Sequence, residues 1–396
     1  MPPVPPMPPM PTIKVVQFVP NLNSGGVERG TLEIAQALVN AGHESHVVSN
    51  GGRMVDELTA QGSTHHQWAL HRKSPTTLLK AAALRRWLED LRPDIIHVRS
   101  RMPAWVVWLA WRKMNPATRP RLVTTLHGLH SVSWYSKIMG RGERVIAVSK
   151  TAEQYLRDNC GVLAHNIRLI YRGTDPSAFP RNYQPSEQWL KAWAAQFPQL
   201  QGKRLICLPG RISRLKAHHH LITSLQRLKA QGNTDVAGLI VGGKDAAHEA
   251  YFSELQAQVT KAGVAEDIVF TGHRSDMREI YAISSVVLAV SNKAESFGRT
   301  ALEPLCIGTP VVGFDIGGVG EILAAMFPAG RVPNQDGEAL CSTIAAVLAD
   351  ASVTVAENTE FLLSNMRTQT LQTYEELMLE RSSLSEVDST KAKLPA

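Results

Sequence analysis

Residues 285–315 read SVVLAVSNKAESFGRTALEPLCIGTPVVGFD. An aliphatic, β-branched run (285–290) leads into a polar loop, a helical pattern over 300–307 follows Gly298, and a second apolar run (309–315) ends the stretch. Apolar side chains at successive positions mark strands covered on both faces, and strand, helix and strand in that order make a parallel βαβ unit. The pattern repeats upstream in RLICLPG (204–210), VAGLIVGG (236–243) and DIVFTG (267–272), with helical patterns over 217–230 and 246–262. An earlier series holds IKVVQFV (13–19), a helix over 26–40, SHVVSN (45–50), DIIHV (94–98), RLVTTL (121–126), RVIAV (144–148) and IRLIY (167–171). Between the two series, 174–202 carries Pro176, Pro180, Pro185 and Pro198 and breaks the rhythm, as a domain boundary does.

The expected class is α/β, with two doubly wound Rossmann-like domains whose strand carboxyl ends face a central cleft, where ligands of such sheets bind. The expected order is a tail (1–12), an N-terminal domain (13–180), a linker (181–202) and a C-terminal domain (203–354). Last comes a segment (355–396) whose helix crosses back to the first domain before a mobile tail. The opening MPPVPPMPPMP has seven prolines in eleven residues and reads as a mobile polyproline-like tail. A chain of 396 residues, 44% of them hydrophobic, can supply two cores.

Charge is divided unevenly. Residues 1–200 hold 24 Lys+Arg against 13 Asp+Glu, a balance of +11; the remainder holds 18 against 22, or −4, and the two recover the net +7. Twelve basic residues fall within 72–121 beside only Glu89, Asp90 and Asp94, with Trp87, Trp105, Trp108 and Trp111 among them. Such a stretch suits an anionic membrane surface, and equally suits a merely solvated helical face. No nucleic-acid motif accompanies it, so nucleic acid is not expected as a partner. Cys160, Cys207, Cys306 and Cys341 form no CxxC pair, which points to a reduced, cytoplasmic protein without structural zinc. No stretch is apolar over the roughly 18 residues of a membrane span, so a peripheral place on the inner face of a membrane is the expectation.

Candidate chemistry collects where strands end. Gly25 and Gly26 in FVPNLNSGGVERG let the backbone approach a phosphate or sugar at a helix start, although no G-x-G-x-x-G dinucleotide fingerprint is present. Arg211 and Lys216 in LPGRISRLKAHHHL stand five residues apart after a strand and can both reach one diphosphate without a metal. No Asp-x-Asp element accompanies them, and adjacent helical residues such as His218, His219 and His220 cannot converge on one ion. His127, ending RLVTTL, can donate to a sugar hydroxyl or simply bond its own loop. Glu295 and Glu303 stand eight residues apart. With the N–H groups of Phe297, Gly298 and Arg299 they suit a polyol joined to a diphosphate, though an ordinary helix with an acidic start also fits.

In this order the motifs resemble a retaining glycosyltransferase of family four, of the GT-B class. The elements that carry the resemblance are GGVE, AVSK (147–150), RGTD (172–175), the E-x7-E element and GTPVVGFDIGGVGEI. NLNSGGVERGTLEIAQAL, HVRSRMPAW and VTTLHGLH are most similar to the branch that builds bacterial lipopolysaccharide core and surface glycans. The resemblance implies transfer of a sugar from a UDP- or GDP-linked donor to a glycolipid or oligosaccharide hydroxyl, with no separate cofactor and no metal. It assigns the donor diphosphate to Arg211 and Lys216, the ribose to Glu303, and the donor sugar to Glu295 and the backbone of Phe297 and Gly298. Gly25 and Gly26 would approach the phosphate, His127 the transferred sugar, and His273 in TGHRSDM the nucleobase. Two departures stand out: Ala217 replaces the usual glycine, tolerable if its φ is negative, and Tyr171 precedes Arg172. A nucleotide-sugar epimerase or a non-catalytic protein of the same fold are the alternatives.

Overall fold

The computed structural model describes residues 11–23, 25–244 and 248–391, with side chains as far as 381. The mobility expected of the tail and of the last residues falls outside this range. The chain divides into two compact units, one of residues 1–148, 152–171 and 365–396 and one of 149–151 and 172–364.

In the first unit seven parallel strands form one sheet: β1 (Lys14–Phe18), β2 (Glu44–Ser49), β3 (Thr64–Gln67), β4 (Ile95–Val98), β5 (Arg121–Leu126), β6 (Arg144–Ala147) and β7 (Ile167–Leu169). Their order is β3-β2-β1-β4-β5-β6-β7, so the direction of winding reverses beside β1. Val15, Val16, Phe18, Ile95, Ile96 and Val98 are all fully buried, as a sheet covered on both faces requires. The helix Leu363–Lys391 packs on this sheet: Tyr374 bonds His97 Nδ1 at 2.6 Å, and Arg168 pairs with Glu376. His97 Nε2 also meets Thr125 Oγ1 at 2.6 Å, so one buried imidazole ties β4 to both β5 and the helix.

The second unit holds β8 (Arg204–Pro209), β9 (Val236–Val241), β10 (Ile268–Gly272), β11 (Val286–Ala289), β12 (Val311–Phe314) and β13 (Arg331–Val332), all parallel in the order β10-β9-β8-β11-β12-β13. The winding reverses between β8 and β11. In open α/β sheets the crevice outside the carboxyl ends of strands at such a reversal is where ligands bind.

Residues 181–202, expected as a linker, belong to this unit. Ser186 accepts from the Trp189 amide and starts the helix Glu187–Gln196. Trp189 Nε1 donates to Asp276 Oδ2 at 2.8 Å, while Trp193, Phe197 and Leu200 are buried. The prolines that suggested a linker lie on either side of a capped helix with an apolar face. Among the described residues no helix is long and apolar enough to cross a membrane.

Candidate active site

The second unit brings residues after β8 and residues after β11 together because those strands are neighbours at the reversal point. Lys216 Nζ donates to Glu295 Oε1 at 2.7 Å, and Ser291 Oγ donates to the same oxygen. Burial pushes the Glu295 pKa up, but the Lys216 charge and the hydrogen bonds from Lys216 and Ser291 outweigh it and hold the carboxyl below its ordinary value. Lys216 reaches this position from a short 3-10 turn (Arg214–Lys216), and the turn closes through Ala217 at φ 51°. The condition under which alanine was expected to be harmless is therefore not met. A left-handed L-residue costs about 1 kcal/mol, and this one is fully buried just before the helix His219–Ala230. Arg211 is exposed and joins no ion pair among the described residues; the Lys216–Glu295 pair forms without it.

Glu303 lies in the helix Arg299–Ile307 and is fixed from two sides. Arg299 Nε donates to its Oε1 at 3.0 Å, and Tyr281 donates to its Oε2 at 3.4 Å. Burial raises the Tyr281 pKa well above the ordinary phenol value, so it stays a proton donor to the carboxylate. The loop that carries Glu295 depends on close backbone packing. Gly298 caps the helix at φ 111°, a conformation only glycine adopts freely. The backbone of Gly318 passes so near Phe297 that a Cβ there would stand 2.2 Å from its carbonyl oxygen. Gly318 N–H donates to Glu295 O at 2.8 Å, which locks the loop against the next helix. The Phe297 side chain is buried edge-on against Phe361, leaving only its backbone for ligand contact. His273 is exposed after β10, beside Gly243.

In the first unit, Gly25 caps the helix Gly26–Asn40, and both glycines are exposed. His127 is half-buried after β5, and its Nε2 lies 3.4 Å from Nη1 of Arg99, which follows β4. A guanidinium can only donate, so His127 Nε2 is the acceptor and its ring proton sits on Nδ1. The sequence reading did not single out Ser291, Tyr281 or Arg99. The first two act through partners 4 and 22 residues away, and Arg99 was counted only as one charge of a basic stretch.

Residues 24–178 match the family model Glycosyltransferase Family 4, and 191–360 match Glycosyl transferases group 1. The chain belongs to the glycosyltransferases. This glycosyltransferase is 29% identical over 223 residues to the lipopolysaccharide core biosynthesis mannosyltransferase LpcC of Rhizobium leguminosarum bv. viciae, 56% of this chain and 59% of LpcC. Against the core mannosyltransferase LpsB of Rhizobium meliloti (strain 1021) it is 27% identical over 190 residues, 48% of this chain and 50% of LpsB. The chain thus spans between half and three-fifths of the length of these two relatives. A solved glycosyltransferase from Rickettsia africae ESF-5 superposes with a TM-score of 0.80 at 26% identity, covering 93% of this chain and 99% of that one. The enzyme has the two Rossmann-like units of GT-B glycosyltransferases.

Proposed function

We propose that the enzyme transfers a hexose or N-acetylhexosamine, with retention at the anomeric carbon, from a UDP- or GDP-linked donor to a hydroxyl of a glycolipid or glycan in lipopolysaccharide core or surface-polysaccharide synthesis. The observation that carries this reading is the Lys216–Glu295 pair at the reversal point of the second sheet. A lysine ammonium has three N–H donors, so Lys216 holds Glu295 with one and keeps two for a diphosphate. Arg211, unengaged on the same loop, supplies the planar fork. Glu295 then accepts from donor-sugar hydroxyls, Glu303 from the ribose, and His273 flanks the base, while the start of the helix Arg299–Ile307 adds backbone donors from Phe297, Gly298 and Arg299. In the first unit, Gly25 and Gly26 present a helix start to phosphate, and His127, protonated on Nδ1, meets the transferred sugar.

No protein nucleophile enters the step. The anomeric C–O bond to the β-phosphate breaks, the acceptor oxygen bonds that carbon on the same face, and the acceptor proton passes to the departing phosphate oxygen. Lys216 and Arg211 stabilise the charge that develops on the diphosphate, without a metal. The LpcC and LpsB names put mannose first in the donor panel. Thermal-shift screening against UDP- and GDP-linked mannose, glucose, galactose and N-acetylglucosamine is the test. A donor at 100 times its Kd stabilises by about 2.7 kcal/mol. No stabilisation by any member would contradict the reading.

The acceptor side is proposed to work peripherally, at the cytoplasmic face of an anionic inner membrane. Trp134, 73% exposed, packs edge-to-face on Trp105, which packs on Trp108 under the Arg112 guanidinium. Not all of the basic stretch takes part: Arg99 is buried, and Arg121 is paired with Glu143. Co-sedimentation is expected with phosphatidylglycerol vesicles and not with phosphatidylcholine vesicles, weakened by salt and by Trp134→Ala. Equal, salt-insensitive binding to both would remove the electrostatic argument.

A further inference from the structure

The chemistry proposed for the loop after β8 uses Arg211 and Lys216 but gives no task to His218, the first of three consecutive histidines. His218 stands at the start of the helix His219–Ala230 and is fully buried. Among the described residues neither of its ring nitrogens completes a hydrogen bond. Burial drives its pKa down to about 4, against the pull of the Gly210 carbonyl beside the ring and with the help of the Lys216 and His219 charges; the Ser213 carbonyl faces the ring as well. The imidazole is therefore neutral at physiological pH and carries a single N–H. A buried donor that is left unpaired costs stability.

Of the two carbonyls, that of Ser213 already accepts from the Lys216 amide at 3.0 Å within the 3-10 turn. That of Gly210 lies where the loop leaves β8, and the Lys216 stem rests on the same residue. Gly210 has φ 138°, and a Cβ there would stand 2.9 Å from Lys216 Cε. The second half of the loop is held separately, since Asn292 N and Nδ2 donate to the Leu215 and Arg214 carbonyls at 2.8 and 2.7 Å. We propose that His218 is a positioning residue of the donor site: its ring N–H bonds the Gly210 carbonyl as the diphosphate draws Lys216 in, and this bond holds the lysine stem where its ammonium meets phosphate. Hydrogen bonds of this kind are often misaligned before substrate binds and tighten in the complex. The unpaired donor is then a stability cost that the bound state recovers. The role rests on the diphosphate reading of the loop.

The full chain is titrated calorimetrically with UDP and with GDP, and the tighter of the two is carried into His218→Leu, His218→Asn and His218→Gln. Leucine is close to the ring in bulk but donates nothing; asparagine and glutamine place an amide N–H near the Nδ1 and Nε2 positions. His218→Leu is expected to bind the nucleotide about fivefold more weakly, the share of one hydrogen bond. Its melting temperature should hold or rise, because a buried polar group is gone. At least one of the two amide variants should recover the affinity. In the parent, the ring N–H proton of His218, assigned by its loss in a folded variant, should move downfield in the NMR spectrum when nucleotide binds. Affinity unchanged in His218→Leu, recovery in neither amide variant, or a ring proton that nucleotide does not move would each overturn the positioning role. If His218→Leu does not fold, the amide variants and the ring proton decide, and unfolding of all three variants shows a purely structural ring and also overturns it. A parent that binds neither UDP nor GDP contradicts the nucleotide reading and takes this role with it, whereas nucleotide binding that His218→Leu leaves intact overturns the role alone.

Discussion

Lys216→Ala will lower donor affinity or turnover by at least about tenfold, roughly 1.4 kcal/mol, in a chain that remains folded. The lysine sits in the single 3-10 turn Arg214–Lys216, outside the sheet and the long helices, and its loss is proposed to remove the charge shared between Glu295 and the donor diphosphate. Glu295 loses its strongest stabilising partner at the same time. Burial, the largest influence on its pKa, then acts against the Ser291 hydrogen bond alone, and the pKa moves up. The sign of the pH effect follows. A carboxyl whose folded pKa is depressed contributes stability that is present above its unfolded pKa and lost as pH falls through the folded one. The parent should therefore lose more melting temperature on the acid side than Lys216→Ala does, the difference being the Glu295 share, while the depressed carboxyls of Asp276 and Glu279 keep their own acid-side loss in both proteins. Unchanged donor binding, with the same acid profile in both proteins, would remove Lys216 from the site.

Gly318→Ala is expected to be as damaging to binding and worse for stability. A Cβ there would stand 2.2 Å from the Phe297 carbonyl oxygen and 2.4 Å from its Cα, and both are backbone atoms that no rotamer change can move. The loop 294–298 must shift, taking Glu295 out of reach of Lys216 and disturbing the cap at Gly298. Overpacking of this kind costs about 1–3 kcal/mol, and a unit of this size loses roughly 2–4 °C of melting temperature per kcal/mol. Gly337→Ala, with nothing within 4 Å of the added Cβ, is the control and should leave melting and donor binding unchanged. Equal behaviour of the two variants in calorimetry and donor titration would show that Gly318 does not set the loop.

Much of the fold was legible because buried parallel strands write themselves as continuous apolar runs. The helix Gly26–Asn40 and the strand Arg121–Leu126 fall where the pattern put them. The elements it missed lack that signature. β3 is the polar edge strand THHQ, β13 has two residues, and the helix Glu187–Gln196 hides among prolines. In the site, the pairing of loops after β8 and β11 could not be read from spacing, because it follows from strand order. Glu295 was legible as a carboxylate, but the ion pair that fixes it required Lys216 to arrive from 79 residues away. The glycines of GGVGEI were visible as a motif, yet their packing against Phe297 needed coordinates. Arg99 was concealed by its own neighbourhood, one arginine in a basic stretch whose burial no composition reveals.

The central claim is that the two carboxylates and the lysine of the second unit form a nucleotide-sugar site. It is tested most directly by calorimetric titration of the donor selected by thermal shift into the parent chain and into Glu303→Ala. The account predicts one saturable site in the parent and, in a variant of unchanged circular dichroism, at least about tenfold weaker binding, since a ribose held by a carboxylate loses its charge-assisted bonds. Equal affinities in the two proteins would contradict it.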